Sequence, residues 1–388
     1  MPGFDSARLV RLGDVLDGYA ERGEVTGLAW GLARRGEVHV GAAGVPGDTI
    51  FRISSMTKPV TAAAALCLVE ECLIRLDEPV DRLLPELADR RVLADPGGSL
   101  DDTVPAQRAI TVRDLLTFRL GYGMDFTVLG QQPLLDALAE LELETGPPAP
   151  SAPPEPGEWM RRLGTLPLEH QPGERWLYHT GADVLGVLVA RAAGMPLDDV
   201  LRERILSPLG MTDTSFSVPA PDLGRFGAVF GTDPSSGARF VYDEADGQWS
   251  TPPAFPSGGA GLVSTVDDYL AFARMLLAGG AAGGRRILSR PSIEVMTTNQ
   301  LTPEQVAASG PDPAGAQGWG FGVGVQVRRT GLPSVGSYGW DGGLGSSWLN
   351  DPSAELAGVI LTNQMWSSPQ RPTVCEDFWT CAYAAIHD

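Results

Sequence analysis

Lysine is almost absent from this chain. Of the 29 basic residues among 388, one is lysine, Lys58, and the other 28 are arginine. Arginine cannot lose its proton in a protein, whereas a desolvated lysine can. A lone lysine in that background points to a place where guanidinium chemistry fails and a deprotonable amine is needed. Positive charge is short overall as well. The net charge of −19 sets the chain against nucleic acid and anionic membrane surfaces, which would repel it.

Other absences narrow the field further. The four cysteines (Cys67, Cys72, Cys375 and Cys381) include no Cys-x-x-Cys and no Cys/His group with zinc spacing. Cys67 and Cys72 fall five residues apart in one expected helix and point to different sides, so all four read as reduced thiols. Clustered carboxylates for calcium and a phosphate-cradling glycine loop are missing too, so neither metal nor cofactor is expected. No apolar run is long enough to span a bilayer. The opening Met-Pro-Gly-Phe-Asp-Ser-Ala-Arg has no basic head leading into an apolar core, which is not a signal peptide, and a cytoplasmic location is expected.

What is present describes an ordinary globular protein, 43% hydrophobic and 20% charged. Its length calls for one large domain with an insertion or two closely packed lobes. The periodicity predicts an amphipathic helix over 5–22 capped by Asp5, then a hairpin of strands 26–34 and 37–43 turning at Arg35-Gly36. A helix rich in Ala and Leu follows over 55–74. Helices are expected near 111–118, 131–143, 157–163, 181–193, 197–206 and 265–279, and a last one at 371–386. Strands are expected near 318–328, 334–340, 345–350 and 355–363. The Pro-rich stretch 145–157 is a surface loop of extended character. Strands at both ends with helices between them predict a sheet built from both termini, 1–75 and 255–388. A mainly helical lobe, 76–254, is inserted, and the site lies between the two.

The lone lysine stands in Ser55-Met56-Thr57-Lys58. At a helix start, residues three apart lie one turn apart on one face, which brings hydroxyl and amine within hydrogen-bond reach. The amine can then take the hydroxyl proton, provided burial keeps it neutral. The helix N-terminus adds free N–H groups and a positive field. With 23 serines in 388 residues, a lysine falls three places after one about 6% of the time by chance, so the spacing alone is a weak signal. The alternative is a helix cap followed by a surface lysine. Against it stand the strand-like Phe51-Arg52-Ile53 before the pair and the apolar helix after it.

Phe51-Arg52-Ile53-Ser54-Ser55-Met56-Thr57-Lys58-Pro59 resembles the active-site segment of the class C β-lactamase-like, penicillin-binding-protein-like serine hydrolases. Ile110–Thr117, Pro208–Phe216 and Ser257–Thr265 are similar to further segments of that family, and the resemblance runs from about 25 to 365. It implies an α+β fold: an antiparallel sheet flanked by helices with an inserted helical lobe. It also implies acyl transfer through Ser55 with Lys58 as its proton partner. The family's second motif, often Tyr-x-Asn, is matched by Tyr178-His179-Thr180. Tyr178 would pass a proton to the leaving group, His179 would line the mouth of the site, and Thr180 stands where the Asn would hold a β-lactam amide. The run from Tyr178 to Gly186 looks like that of the family VIII carboxylesterases. The third motif, normally Lys-Thr-Gly or His-x-Gly, is matched by Trp340-Asp341-Gly342. Losing the cation removes a grip on a substrate carboxylate, and Trp340 offers an apolar wall instead. The resemblance places Trp340, Asp341 and Gly342 at the substrate, and His179 is expected there as the neighbour of Tyr178. The resemblance also makes the N–H groups of Ser55 and Gly343 the oxyanion hole.

A Ser-His-Asp triad is the rival. The chain has His39, His170, His179 and His387 but no G-x-S-x-G elbow. The reading is therefore a serine hydrolase cleaving carboxylic esters, with a small-molecule ester or amide as partner. A β-lactamase, a D-amino-acid peptidase or amidase, an acyltransferase, and a catalytically silent binding protein on the same fold remain the alternatives.

Overall fold

The computed structural model describes residues 3–387 except 126–132, 144–145, 311, 313 and 369. β1 (Leu28–Arg34) and β2 (Glu37–Ala43) form the expected hairpin. Its turn places Arg35 and Gly36 at φ 50° and 85°, which favours the glycine. β3 (Gln317–Trp319), β4 (Gly324–Gln326), β5 (Tyr338–Gly342), β6 (Ser346–Asp351) and β7 (Leu356–Thr362) complete the sheet. The order is β3-β4-β5-β6-β7-β1-β2 and every pair is antiparallel.

Five helices brace the sheet and frame the site: α1 (Ser6–Glu21), α2 (Thr57–Glu70), α3 (Thr180–Ala193), α4 (Val266–Leu277) and α5 (Thr373–Ala384). The alternation of β1 explains how they stack. Leu28, Trp30 and Leu32 face one way and pack with Leu12 and Leu16 of α1 and Phe378 of α5. Ala29, Gly31 and Ala33 face the other way. A Cβ on Gly31 would lie 2.7 Å from the Val266 Cγ1, so its absence lets α4 sit close to the sheet. α2 is buried from Thr57 to Leu68, as suits a helix apolar on every side. One core cluster runs from Phe51 through the helical middle of the chain to Leu361, so sheet and helices share it. Among the described residues, no helix is long and apolar enough to cross a membrane.

Three details differ from the expectation. The strand near 318–328 is two strands, β3 and β4. A Cβ on Gly320 would strike the Met296 carbonyl oxygen at 2.1 Å, and Gly322 holds φ 70°, so the chain turns back between them. The middle of the chain carries two small ribbons, Arg91–Leu93 with Thr103–Pro105 and Val229–Thr232 with Arg239–Asp243. The helix expected at 131–143 is described as Pro133–Glu140, and residues 131–132 lie outside the described residues. The Pro-rich loop docks on the second ribbon: the Tyr242 hydroxyl donates to the carbonyl oxygens of Pro147 and Pro148 at 3.2 and 2.9 Å. All four cysteines are free, Cys67 buried and Cys72 exposed.

Candidate active site

The segment before Ser55 is fixed from both sides. Phe51-Arg52 pairs with Val263-Ser264, and the Ile53 N–H donates to the Leu262 oxygen at 3.1 Å. The Arg52 guanidinium is buried. It binds Asp243 at 2.5 and 2.9 Å and lies 3.9 Å from the centre of the Phe226 ring. Removing one partner of such a pair strands a buried charge, at a cost of about 3–5 kcal/mol. Ser54 then takes φ 48°, and a single 3-10 turn, Ser54–Met56, leads into α2. The Tyr269 hydroxyl donates to the Met56 oxygen at 2.8 Å, which holds that turn against α4.

Lys58 is 1% exposed, and burial of that kind favours the neutral amine. Its Nζ lies 3.0 Å from the Ser55 Oγ, 2.7 Å from the Gly259 carbonyl oxygen and 3.1 Å from the His179 Nδ1. It also sits 4.6 Å from the centre of the Tyr178 ring. The spacing read from the sequence thus does bring hydroxyl and amine together.

His179, expected at the mouth of the site, is also drawn in to Lys58. It lies between Lys58 and Asp183, with its Nε2 3.0 Å from the Asp183 Oδ2 and its side chain 14% exposed. Burial and the nearby Lys58 push its pKa down, while Asp183 opposes them. The other oxygen of Asp183 accepts from the Ser257 hydroxyl at 2.6 Å and the Gly259 N–H at 2.9 Å. Burial disfavours the Asp183 carboxylate, but His179, Ser257 and Lys58 outweigh it and its pKa falls. Asp183 and Gly259 touch the Lys58–His179 pair, a contact that the motifs alone do not mark. For Asp183 a signal was available: it stands four residues after His179 where α3 begins, one turn away on one face.

The Tyr178 hydroxyl is held on the other flank of Ser55. It accepts from the Trp340 indole N–H at 2.7 Å and is hydrogen-bonded to Ser55. Burial raises its pKa, with those two bonds opposing, so it stands as a neutral phenol. Trp340 is therefore more than an apolar wall. Its ring meets Trp319 edge-on at 4.6 Å between centres, and Phe118 and Trp176 close the cluster behind Tyr178. Trp319 was missed because a tryptophan on a short strand carries no local mark of what it packs against.

Asp341 does not join the site. Next to Trp340 on β5, it points to the opposite face, as alternate strand residues must. Its carboxylate accepts from the Ser347 hydroxyl at 2.5 Å and from Arg371 at 2.8 Å. Gly342 does join it: a Cβ there would lie 2.3 Å from the Ile53 oxygen, so glycine lets β5 press on the segment before Ser55. The next residue, Gly343, has an N–H without a partner among the described residues, while its carbonyl accepts from the Trp366 N–H at 2.8 Å. Thr180 opens α3 at the site's helical wall.

The Beta-lactamase family model matches residues 12–373. The chain belongs to the beta-lactamase family. Among beta-lactamase-family relatives, Protein Rv1367c of Mycobacterium tuberculosis is 42% identical, covering 82% of this chain and 79% of that protein. Esterase EstB of Burkholderia gladioli is 31% identical over 95% of this chain and 94% of its own. The fold matches that of EstCE1, a hydrolase with promiscuous acyltransferase activity. The TM-score is 0.80 at 24% identity, over 97% of this chain and 99% of that one. The α+β architecture expected from the sequence is thus that of the beta-lactamase family.

Proposed function

We propose that this protein is a serine esterase working through an acyl-enzyme on Ser55. The observation that carries the reading is the placement of the Ser55 Oγ between the Lys58 amine, at 3.0 Å, and a Tyr178 hydroxyl fixed by Trp340. In the first step the Ser55 O–H bond breaks and its proton goes to the Lys58 Nζ. The oxygen bonds to the substrate carbonyl carbon, and the carbonyl electron pair moves onto its oxygen. The N–H groups of Ser55 and Gly343 receive that oxyanion. Collapse expels the alcohol, which takes the Tyr178 proton, and Tyr178 recovers one from Lys58. Water repeats the sequence and frees the acid.

Ester rather than lactam is favoured by Trp340, which supplies no cation for a substrate carboxylate, and by Thr180, which supplies no amide. The likeness to Esterase EstB supports the same choice. The test is a panel of short-chain p-nitrophenyl esters, nitrocefin and D-amino-acid amides, run on wild type and Ser55→Ala. Ester turnover that disappears in Ser55→Ala is the expected result. Rapid nitrocefin turnover with slow ester turnover would reverse the substrate class.

A further inference from the structure

We infer that His179 and the Gly259 carbonyl, both held by Asp183, direct the Ser55 proton onto Lys58 by occupying the two hydrogens of its neutral amine. The inference rests on the reading of Ser55 as nucleophile and goes beyond it. Among the described residues, Lys58 Nζ lies within hydrogen-bond distance of the Ser55 Oγ, the Gly259 carbonyl oxygen and the His179 Nδ1. The carbonyl can only accept. The imidazole Nε2 faces a carboxylate at 3.0 Å, which accepts, so the ring carries its proton on Nε2 and Nδ1 is left as an acceptor. A neutral amine has two N–H groups and one lone pair. With both N–H groups donated to fixed acceptors, the lone pair is left to the Ser55 hydroxyl. When the Ser55 O–H bond breaks, the new N–H forms on that lone pair and still points at the Ser55 oxygen.

Two further observations support this. Asp183 also binds the N–H of Gly259, the residue whose carbonyl takes the other Lys58 hydrogen, so one carboxylate sets both acceptors. His179 stands at φ 81° and ψ −67° in a three-residue turn, with the Thr180 N–H donating to the Tyr178 oxygen at 3.2 Å. That hand of the γ-turn is rare and strained. It allows two consecutive side chains, Tyr178 and His179, to converge on one amine, where an extended chain would send them to opposite faces. His179 and Asp183 act through Lys58 and are positioning residues.

The test reads Ser55 directly, whatever the natural substrate. A p-nitrophenyl phosphonate forms an Oγ–P bond on Ser55 and releases p-nitrophenolate, while the Ser55 proton passes to Lys58. The release rate and the intact mass are followed for wild type, His179→Ala, His179→Asn, Asp183→Asn and the double variant His179→Asn with Asp183→Asn. Asparagine tolerates positive φ and places an amide oxygen where Nδ1 stood. His179→Ala is expected to slow labelling about 100-fold, and His179→Asn to stay within about tenfold of wild type. Asp183→Asn lets the ring proton move to Nδ1, which then competes for the Lys58 lone pair, so it too should slow labelling about 100-fold. In the His179→Asn background, with no ring left to flip, the same change should cost less than about threefold. Equal rates for His179→Ala and wild type would overturn the inference. So would an Asp183→Asn penalty equal in both backgrounds, which would mean Asp183 only braces Ser257 and Gly259. If Asp183→Asn fails to fold, rescue by asparagine over alanine at 179 decides alone. A folded wild type without a Ser55 adduct would sink the nucleophile reading itself, a different outcome from either.

Discussion

The two flanks of Ser55 are built from opposite materials. On the α2 and α3 flank, Lys58, His179, Asp183, Ser257 and Gly259 form an unbroken chain of hydrogen bonds. On the β5 flank, Tyr178, Trp340, Trp319, Phe118 and Trp176 form a block of rings in which the Trp340 indole donates to the Tyr178 hydroxyl that faces the nucleophile. The polar flank fixes where protons sit and has little slack, because any exchange leaves a buried donor or acceptor unmet. The aromatic flank fixes shape, and rings of similar size can replace one another. The proton chemistry should therefore be brittle and the substrate side tolerant.

The largest effect should come from the polar flank. Lys58→Arg keeps the charge but cannot act as a base, and a fall in kcat of about 1000-fold is expected. A variant within tenfold of wild type would break the comparison at its strongest point. Trp340→Phe keeps the ring and loses the bond to Tyr178, for which steady-state kinetics should show a loss in kcat of about tenfold. A 1000-fold loss there would mean that the aromatic flank is as brittle as the polar one.

A smaller change sharpens the contrast across β5. Asp341→Asn should lower stability by about 1–2 kcal/mol, because Arg371 loses its partner, with little change in kcat. Denaturant unfolding and ester kinetics on the same sample separate the two effects. A fall in kcat that exceeds the fall in stability would return Asp341 to the site.

The smallest effect on turnover lies away from both flanks. Burial, with Asp125 adding and Arg175 opposing, pushes the Glu169 carboxyl from its ordinary 4.5 up to about 7. A raised carboxyl contributes stability that is fully present below pH 4.5 and lost as pH climbs through 7. Glu169→Gln removes that titration. The variant should gain on wild type by about 2–3 kcal/mol between pH 5 and pH 8. Parallel melts at the two pH values check this, and a constant difference would refute it.

Much of the molecule was legible in the sequence. The hairpin of β1 and β2, the capped α1 and the helix after Ser55 follow local periodicity and turn chemistry, and each stands where the pattern put it. Ser55 and Lys58 were legible because one turn of helix is a local geometry. Tyr178 and Gly342 came through the family resemblance, since their closeness to Ser55 depends on long-range packing. The contact of His179 with Lys58 was not legible for a physical reason: its direction comes from a strained turn that no composition announces. Asp341 was misplaced because a motif read as a unit ignores the alternation of a strand. The split of β3 from β4 was hidden because what forces the turn at Gly320 is the Met296 carbonyl, 24 residues away.

Whether Ser55 is the nucleophile is read from the intact mass of the protein after treatment with a p-nitrophenyl phosphonate. A single adduct mapped to Ser55 in wild type, and none in Ser55→Ala, is predicted. An adduct that persists in Ser55→Ala, or maps to another residue, would contradict it.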